Sequence, residues 1–167
     1  VKLSNGTYMP LDPTWVPFCR ELWSSAEQQQ NYLPGVPEGS DLCITPVSAP
    51  ENHYVRIKAD NRLEADGTLR GTFTLTAEGQ SDSNIRRIFT TGFQSEWKST
   101  MERQLLAISP KARLLSVDYG KNPKDYQAAP IKITFRYEIP DYALKGEGEM
   151  FFRPMVMNNL YNQVRSY

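Results

Sequence analysis

Three stretches of this chain carry a clean rhythm of apolar and polar positions, and the rhythm changes between them. In the first, Val55, Ile57 and Ala59 are followed by Asp66-Gly67 and then by Leu69, Gly71, Phe73, Leu75 and Ala77, with charged or hydroxyl residues between. A step of two puts successive side chains on opposite faces of a strand, and Asp-Gly supplies a tight turn. This predicts a half-buried antiparallel hairpin. In the second, Ile85, Ile88, Phe89, Phe93, Trp97, Met101, Leu105 and Ile108 recur at steps of three and four. That is one apolar stripe on a helix, or on two helices broken near Gly92, with Trp97 in the core. Ser81 or Asp82 is the expected cap at its start, and Pro110 follows its end. In the third, Ile131, Ile133, Phe135, Tyr137 and Ile139 alternate with Lys132, Thr134, Arg136 and Glu138, the clearest strand in the chain.

A further strand is predicted in "ARLLSVDYG", before the turn-rich "KNPKDYQAAP", and a weaker one in "YALKGEGEMFFRP". There Gly146 and Gly148 suggest a bulge or a close backbone approach. The order is β-β-α-β-β-β with one helical stripe to bury. It predicts an α+β fold, an antiparallel sheet with one long or broken helix packed on a face.

The first fifty residues have another texture. "VKLSNGTYMPLD" reads as two short strands joined at Asn5-Gly6. In the next segment Pro17 opens a helix that carries Phe18, Leu22 and Ala26 on one face. "LPGVPEGSDLCITPVSAPEN" is too rich in proline and glycine for a long element. It is an extended connector with one short strand at "DLCIT".

Composition narrows the class. The 19 basic and 19 acidic side chains cancel, so no global field points to nucleic acid or to a membrane surface. Hydrophobic residues make up 40% of the chain, enough for a folded domain. No apolar run approaches the roughly 18 residues that span a bilayer. The chain opens at Val1 without an initiator Met or a basic-then-apolar leader, so it is expected to be an excised or processed piece. Cys19 and Cys43 allow one disulfide or two free thiols.

Chemical motifs are few. Phosphate loops, CxxC pairs and nucleophile elbows are absent, and His53 with two cysteines falls short of a zinc ligand set. No metal or cofactor is therefore expected. Glu147 and Glu149 read as exposed acids on a strand. Arg86, Arg87, Lys98 and Arg103, interleaved with Asp82, Glu96 and Glu102, read as a mixed helix surface. Trp15, Trp23, Tyr32 and Tyr54 are expected to pack the connector against the core.

Asp12 has a more specific context. "LSNGTYMPLDPTW" resembles the end of the transglutaminase-like core domain, where a strand pair ending in Leu-Asp-Pro-Thr delivers the carboxylate of a Cys-His-Asp triad. In such a triad the thiolate needs an imidazole base, and the carboxylate fixes that base's tautomer. "YLPGVPEGSDL", the Asp-Gly hairpin and "FRYEIPDYA" with "FFRP" resemble the C-terminal extension of bacterial transglutaminase-like proteins. The resemblance implies that residues 1–50 are the remnant of the catalytic core with its connector, and residues 51–167 an accessory domain of unknown function. It implies export to the periplasm or outer surface. It also implies an upstream transglutaminase-like domain as partner, with a protein or peptide substrate for the intact parent. In the family the Cys and His precede the Asp, whereas Cys19 and His53 follow Asp12, so they do not match the motif positions.

The expected function is therefore a non-catalytic accessory or structural role, with Asp12 a positioning carboxylate only in the intact parent. Two rivals are a peptide- or glycan-binding module and a freestanding cysteine hydrolase using Cys19, His53 and Asp12. The binding module requires a row of exposed aromatics. The hydrolase requires Cys19 sulfur roughly 3 to 4 Å from His53. A severed sheet edge in the first fifty residues would favour a homodimer.

Overall fold

The alternating run around Asp66-Gly67 forms the longest hairpin of the molecule, which a computed structural model describes for residues 2–12 and 23–154. Ahead of it, β1 (Asn31–Tyr32) and β2 (Cys43–Ile44) pair as a two-stranded ribbon. Then β3 (Tyr54–Leu63) and β4 (Leu69–Glu78) pair in register from Tyr54↔Glu78 to Leu63↔Leu69. The turn between them uses both predicted residues. Gly67 has φ +86, and Asp66 Oδ1 accepts the Thr68 amide at 2.8 Å.

The apolar stripe is two helices, α1 (Gly79–Thr91) and α2 (Trp97–Leu106), broken at Gly92 by extended backbone and a short 3₁₀ turn at Gln94–Glu96. The chain then makes β5 (Arg113–Asp118) and β6 (Ile131–Ile139). The sheet order is β3-β4-β6-β5, every neighbouring pair antiparallel, so β6 is inserted between β4 and the strand that follows the helices. This is the expected α+β layer, a broken helix across one face of an antiparallel sheet.

The alternation works as patterned on the two inner strands. Phe73, Leu75, Ala77, Ile133, Phe135 and Tyr137 are fully buried beneath Phe89, Met101 and Leu105 from the helices. Phe73 stacks on Phe135 at 4.3 Å, and Phe89, Trp97 and Tyr119 meet edge-on at 5.1 to 5.6 Å.

Several local expectations are corrected. "YALKGEGEMFFRP" adds no strand to the sheet but folds on itself as β7 (Leu144–Lys145) and β8 (Met150–Phe151), a separate ribbon turning at Gly148. Phe93 is 78% exposed because the helix break removes it from the stripe. Val55 and Ala59 are exposed because they lie on the outermost strand, whose Ile57 and Leu63 are the side chains that pack against the core. The hairpin at Asn5-Gly6 shrinks to one bridge, Lys2↔Tyr8. Ala26 lies in a 3₁₀ turn (Ser25–Glu27) instead of an α-helix, and Pro17, Phe18 and Leu22 lie outside the described residues.

Candidate functional site

Asp12 follows the short Asn5-Gly6 turn by way of Met9, Pro10 and Leu11. The turn is held by Asn5 Oδ1, which accepts from the Thr7 amide at 3.0 Å and the Thr7 hydroxyl at 2.7 Å. Asp12 itself is half-buried at the end of that described stretch. Pro13, Thr14, Trp15 and Cys19 lie outside the described residues, so the Cys19–His53 distance that the hydrolase rival requires is not defined.

His53 has a structural assignment of its own. It stands between a 3₁₀ turn (Pro50–Asn52) and β3, where its Nδ1 accepts the amide hydrogen of Gln80 at 3.1 Å. Gln80 belongs to the first turn of α1, whose backbone amides have no partner within the helix. Glu78 stands at the cap position without a side-chain cap bond, so an imidazole from another element does the work expected of Ser81 or Asp82. With Nδ1 accepting, the neutral ring carries its proton on Nε2 and donates it to Ser48 Oγ at 2.7 Å. That is the wrong tautomer for taking a proton from Ser48. Both ring nitrogens are committed to holding the chain together.

The close approach depends on Gly79, which has φ +61. A Cβ there would lie 2.3 Å from both Asn52 O and His53 Nδ1.

The most elaborate polar cluster is one that the helical pattern disguised. Asp82 and Arg86, spaced i and i+4 on α1, are 0% and 2% exposed, so Arg86 is no part of a mixed surface. Arg86 Nε donates to Asp82 Oδ2 at 2.6 Å. Its terminal nitrogens donate to the carbonyls of Pro123 at 2.8 Å, Asp125 at 3.1 Å and Ala129 at 2.5 Å. Asp82 Oδ1 accepts the Ile131 amide at 2.6 Å, at the first residue of β6. One ion pair thus gathers the loop between β5 and β6 and sets where β6 begins.

Burial pushes the Asp82 carboxyl up from its ordinary value, opposed by the hydrogen bond from Arg86 and then by that from Ile131. Beside the cluster lies a recess of about 320 Å³, with Arg86 in its wall and Lys121 and Lys132 among its exposed residues. Four of the guanidinium's five N–H groups are already bound to protein, so this arginine positions backbone and has little left to offer a ligand.

The remaining candidates separate. Cys43 is a free, half-buried thiol whose sulfur lies 3.7 Å from Asp41 O. Glu147 and Glu149 are exposed, as expected. Among the described residues no group of three or more His, Cys, Asp or Glu side chains is placed to hold a metal ion. Among them, too, no helix is long and apolar enough to cross a membrane. No family model, no curated protein and no solved structure matches the chain.

Proposed function

We propose that this chain is the C-terminal part of an exported bacterial transglutaminase-like protein, in which residues 51–167 serve as a non-catalytic accessory domain. Residues 1–50 then belong to the catalytic core and its connector. The observation that carries this reading is the Leu-Asp-Pro-Thr motif at residues 11–14, set directly after the Asn5-Gly6 turn. In the parent protein Asp12 is a positioning residue. It accepts from the imidazole base of a cysteine nucleophile and holds that ring in the reactive tautomer.

Two observations favour an accessory role over the rivals. The one histidine of the chain is spent on Gln80 and Ser48, in a tautomer that caps a helix. The sheet aromatics Phe73, Phe135 and Tyr137 face the helices, leaving threonines and charged residues on the outer side instead of a row of exposed rings.

The test is kinetic, on the longer protein encoded by the gene. Asp12→Asn is expected to lower kcat for acyl transfer or peptide hydrolysis by about 10⁴-fold with KM little changed, the loss that follows when a base is held in the wrong tautomer. Unaltered kcat in that variant makes Asp12 a turn residue and removes the reading.

A further inference from the structure

The outer edge of β3 has the features of a contact between two copies of this chain. It is the outermost strand of the four-stranded sheet, with all ten residues paired to β4 on one side. On its other side no described strand pairs with it. Such an edge presents a row of unpaired amides and carbonyls to any strand that can lie beside it. The packing points the same way. On the helix-facing side, Phe73 and Ala77 of β4 are 0% exposed, but their partners across the ladder are not covered. Val55, opposite Ala77, is 37% exposed, and Ala59, opposite Phe73, is exposed as well. The apolar row of β3 is therefore only partly covered, with Ile57 packed against the core between two exposed neighbours.

The order of residues along β3 makes this edge complementary to itself. Two antiparallel copies related by a two-fold axis through Ala59 place Lys58 opposite the partner copy's Asp60, and Asp60 opposite its Lys58. Directly opposed side chains in such a pair lie about 4.5–5.5 Å apart at Cβ. On the helix side the same register sets Val55 against Leu63, with the small Ala59 side chains meeting on the axis. Arg56 and Arg62 come opposite one another. Each is already held in its own chain, Arg56 over the Tyr54 ring at 4.8 Å and Arg62 by Glu64 at 3.5 Å. An axis through Lys58 instead would oppose two ammonium groups, and one through Asp60 two carboxylates.

We infer that two copies of this chain associate edge to edge through β3, centred on Ala59, to give one continuous eight-stranded sheet with the helices of both copies on the same face. A two-fold axis perpendicular to the sheet keeps both helix layers on one side, so the exposed Val55 and Ala59 of each copy fall under a shared apolar seam.

Sedimentation velocity on the 167-residue chain over a concentration series tests this, with circular dichroism of each variant confirming that it is folded. The native chain is expected to move from 19.1 kDa towards twice that mass as concentration rises. Lys58→Asp and Asp60→Lys, each alone, oppose like charges twice across the axis and are expected to abolish the dimer. The combined variant restores both reciprocal ion pairs and is expected to dimerise again. Rescue by the double exchange is an outcome that mere loss of stability does not produce. A chain monomeric throughout the series overturns the inference. So does a dimer indifferent to the single exchanges, or a double variant that stays monomeric. Amide hydrogen exchange gives a check that needs no substitution, because β3 should become more protected as concentration rises.

Discussion

Arg86 gives up its water for one carboxylate and three backbone carbonyls, and the loop before β6 takes its shape from that exchange. A buried ion pair adds little over a well-packed apolar replacement of both partners, but removing one partner strands the other. Arg86→Leu is therefore expected to destabilise the protein by about 3–5 kcal/mol near neutral pH, measured by denaturant unfolding. The sign of its pH dependence follows from Asp82. With the guanidinium gone, burial is left largely unopposed, and the carboxyl rises further above its ordinary value of 3.8. A group raised in the folded state favours folding when protonated and opposes it when ionised. The deficit of Arg86→Leu should thus shrink towards acid and grow as pH rises to neutral.

A second buried group sits on the opposite limb of the pH scale. Tyr137 is 0% exposed, and burial pushes its hydroxyl up to about 12. Its contribution should be intact below its ordinary value of 10.0 and lost as pH climbs towards about 12, seen as tyrosinate absorbance rising together with unfolding. The Tyr137 hydroxyl donates to Asn61, which reaches it across the intervening strand because Gly71 has no side chain. A Cβ on Gly71 would lie 1.9 Å from Asn61 Oδ1. Gly71→Ala should displace Asn61 and break its bond to the Tyr137 hydroxyl, at about 0.5–1.5 kcal/mol. With Asn61→Ala already present the 2.9 Å approach to the Asp60 carbonyl remains but the clash with Asn61 is gone, so the same change should be milder, and a double-mutant cycle measures the difference.

At the scale of elements, the start of α1 depends on a different part of the chain. The Gln80 amide is satisfied by His53, and the two approach only because Gly79 adopts φ +61. Gly79→Ala introduces both a left-handed alanine, at about 1–2 kcal/mol, and a contact no Cβ tolerates. It is expected to melt at a clearly lower temperature than His53→Ala, which removes one capping acceptor worth about 0.5–2 kcal/mol. This arrangement also shows what the sequence could and could not convey. The long alternating runs and the three-and-four stripe were legible because period alone assigns them, and Gly92 marked the helix break. The true cap was not, because Ser81 and Asp82 fit the local rule while the acceptor came from 27 residues away. The burial of Arg86 escaped for the same reason. Its i, i+4 spacing from Asp82 was visible, but the carbonyls that justify burying it lie 37 to 43 residues further on. Val55 and Ala59 alternate as well as any core series, and only the strand order reveals that they belong to an edge.

At the scale of the whole molecule, every residue of the main core lies between Leu69 and Ile139, and the partly buried additions on its N-terminal side are Ile57 and Leu63. The segment from 23 to 50 meets this unit at the hydrogen bond between Ser48 and His53. A fragment of residues 48–154 is therefore expected to unfold in one cooperative transition at nearly the melting temperature of the full chain, by calorimetry. That behaviour belongs to an accessory domain that folds by itself. A fragment that fails to fold would make the first fifty residues part of its core.

The most direct measurement is to read the coding sequence upstream of Val1, over about 100–150 codons, the span of a typical domain. A Cys at the start of a helix followed by a His at the end of a strand is expected there, which together with Asp12 complete a thiol triad. A gene that begins near Val1, or whose upstream Cys and His are replaced, contradicts it and leaves Asp12 a turn residue in a structural or binding protein.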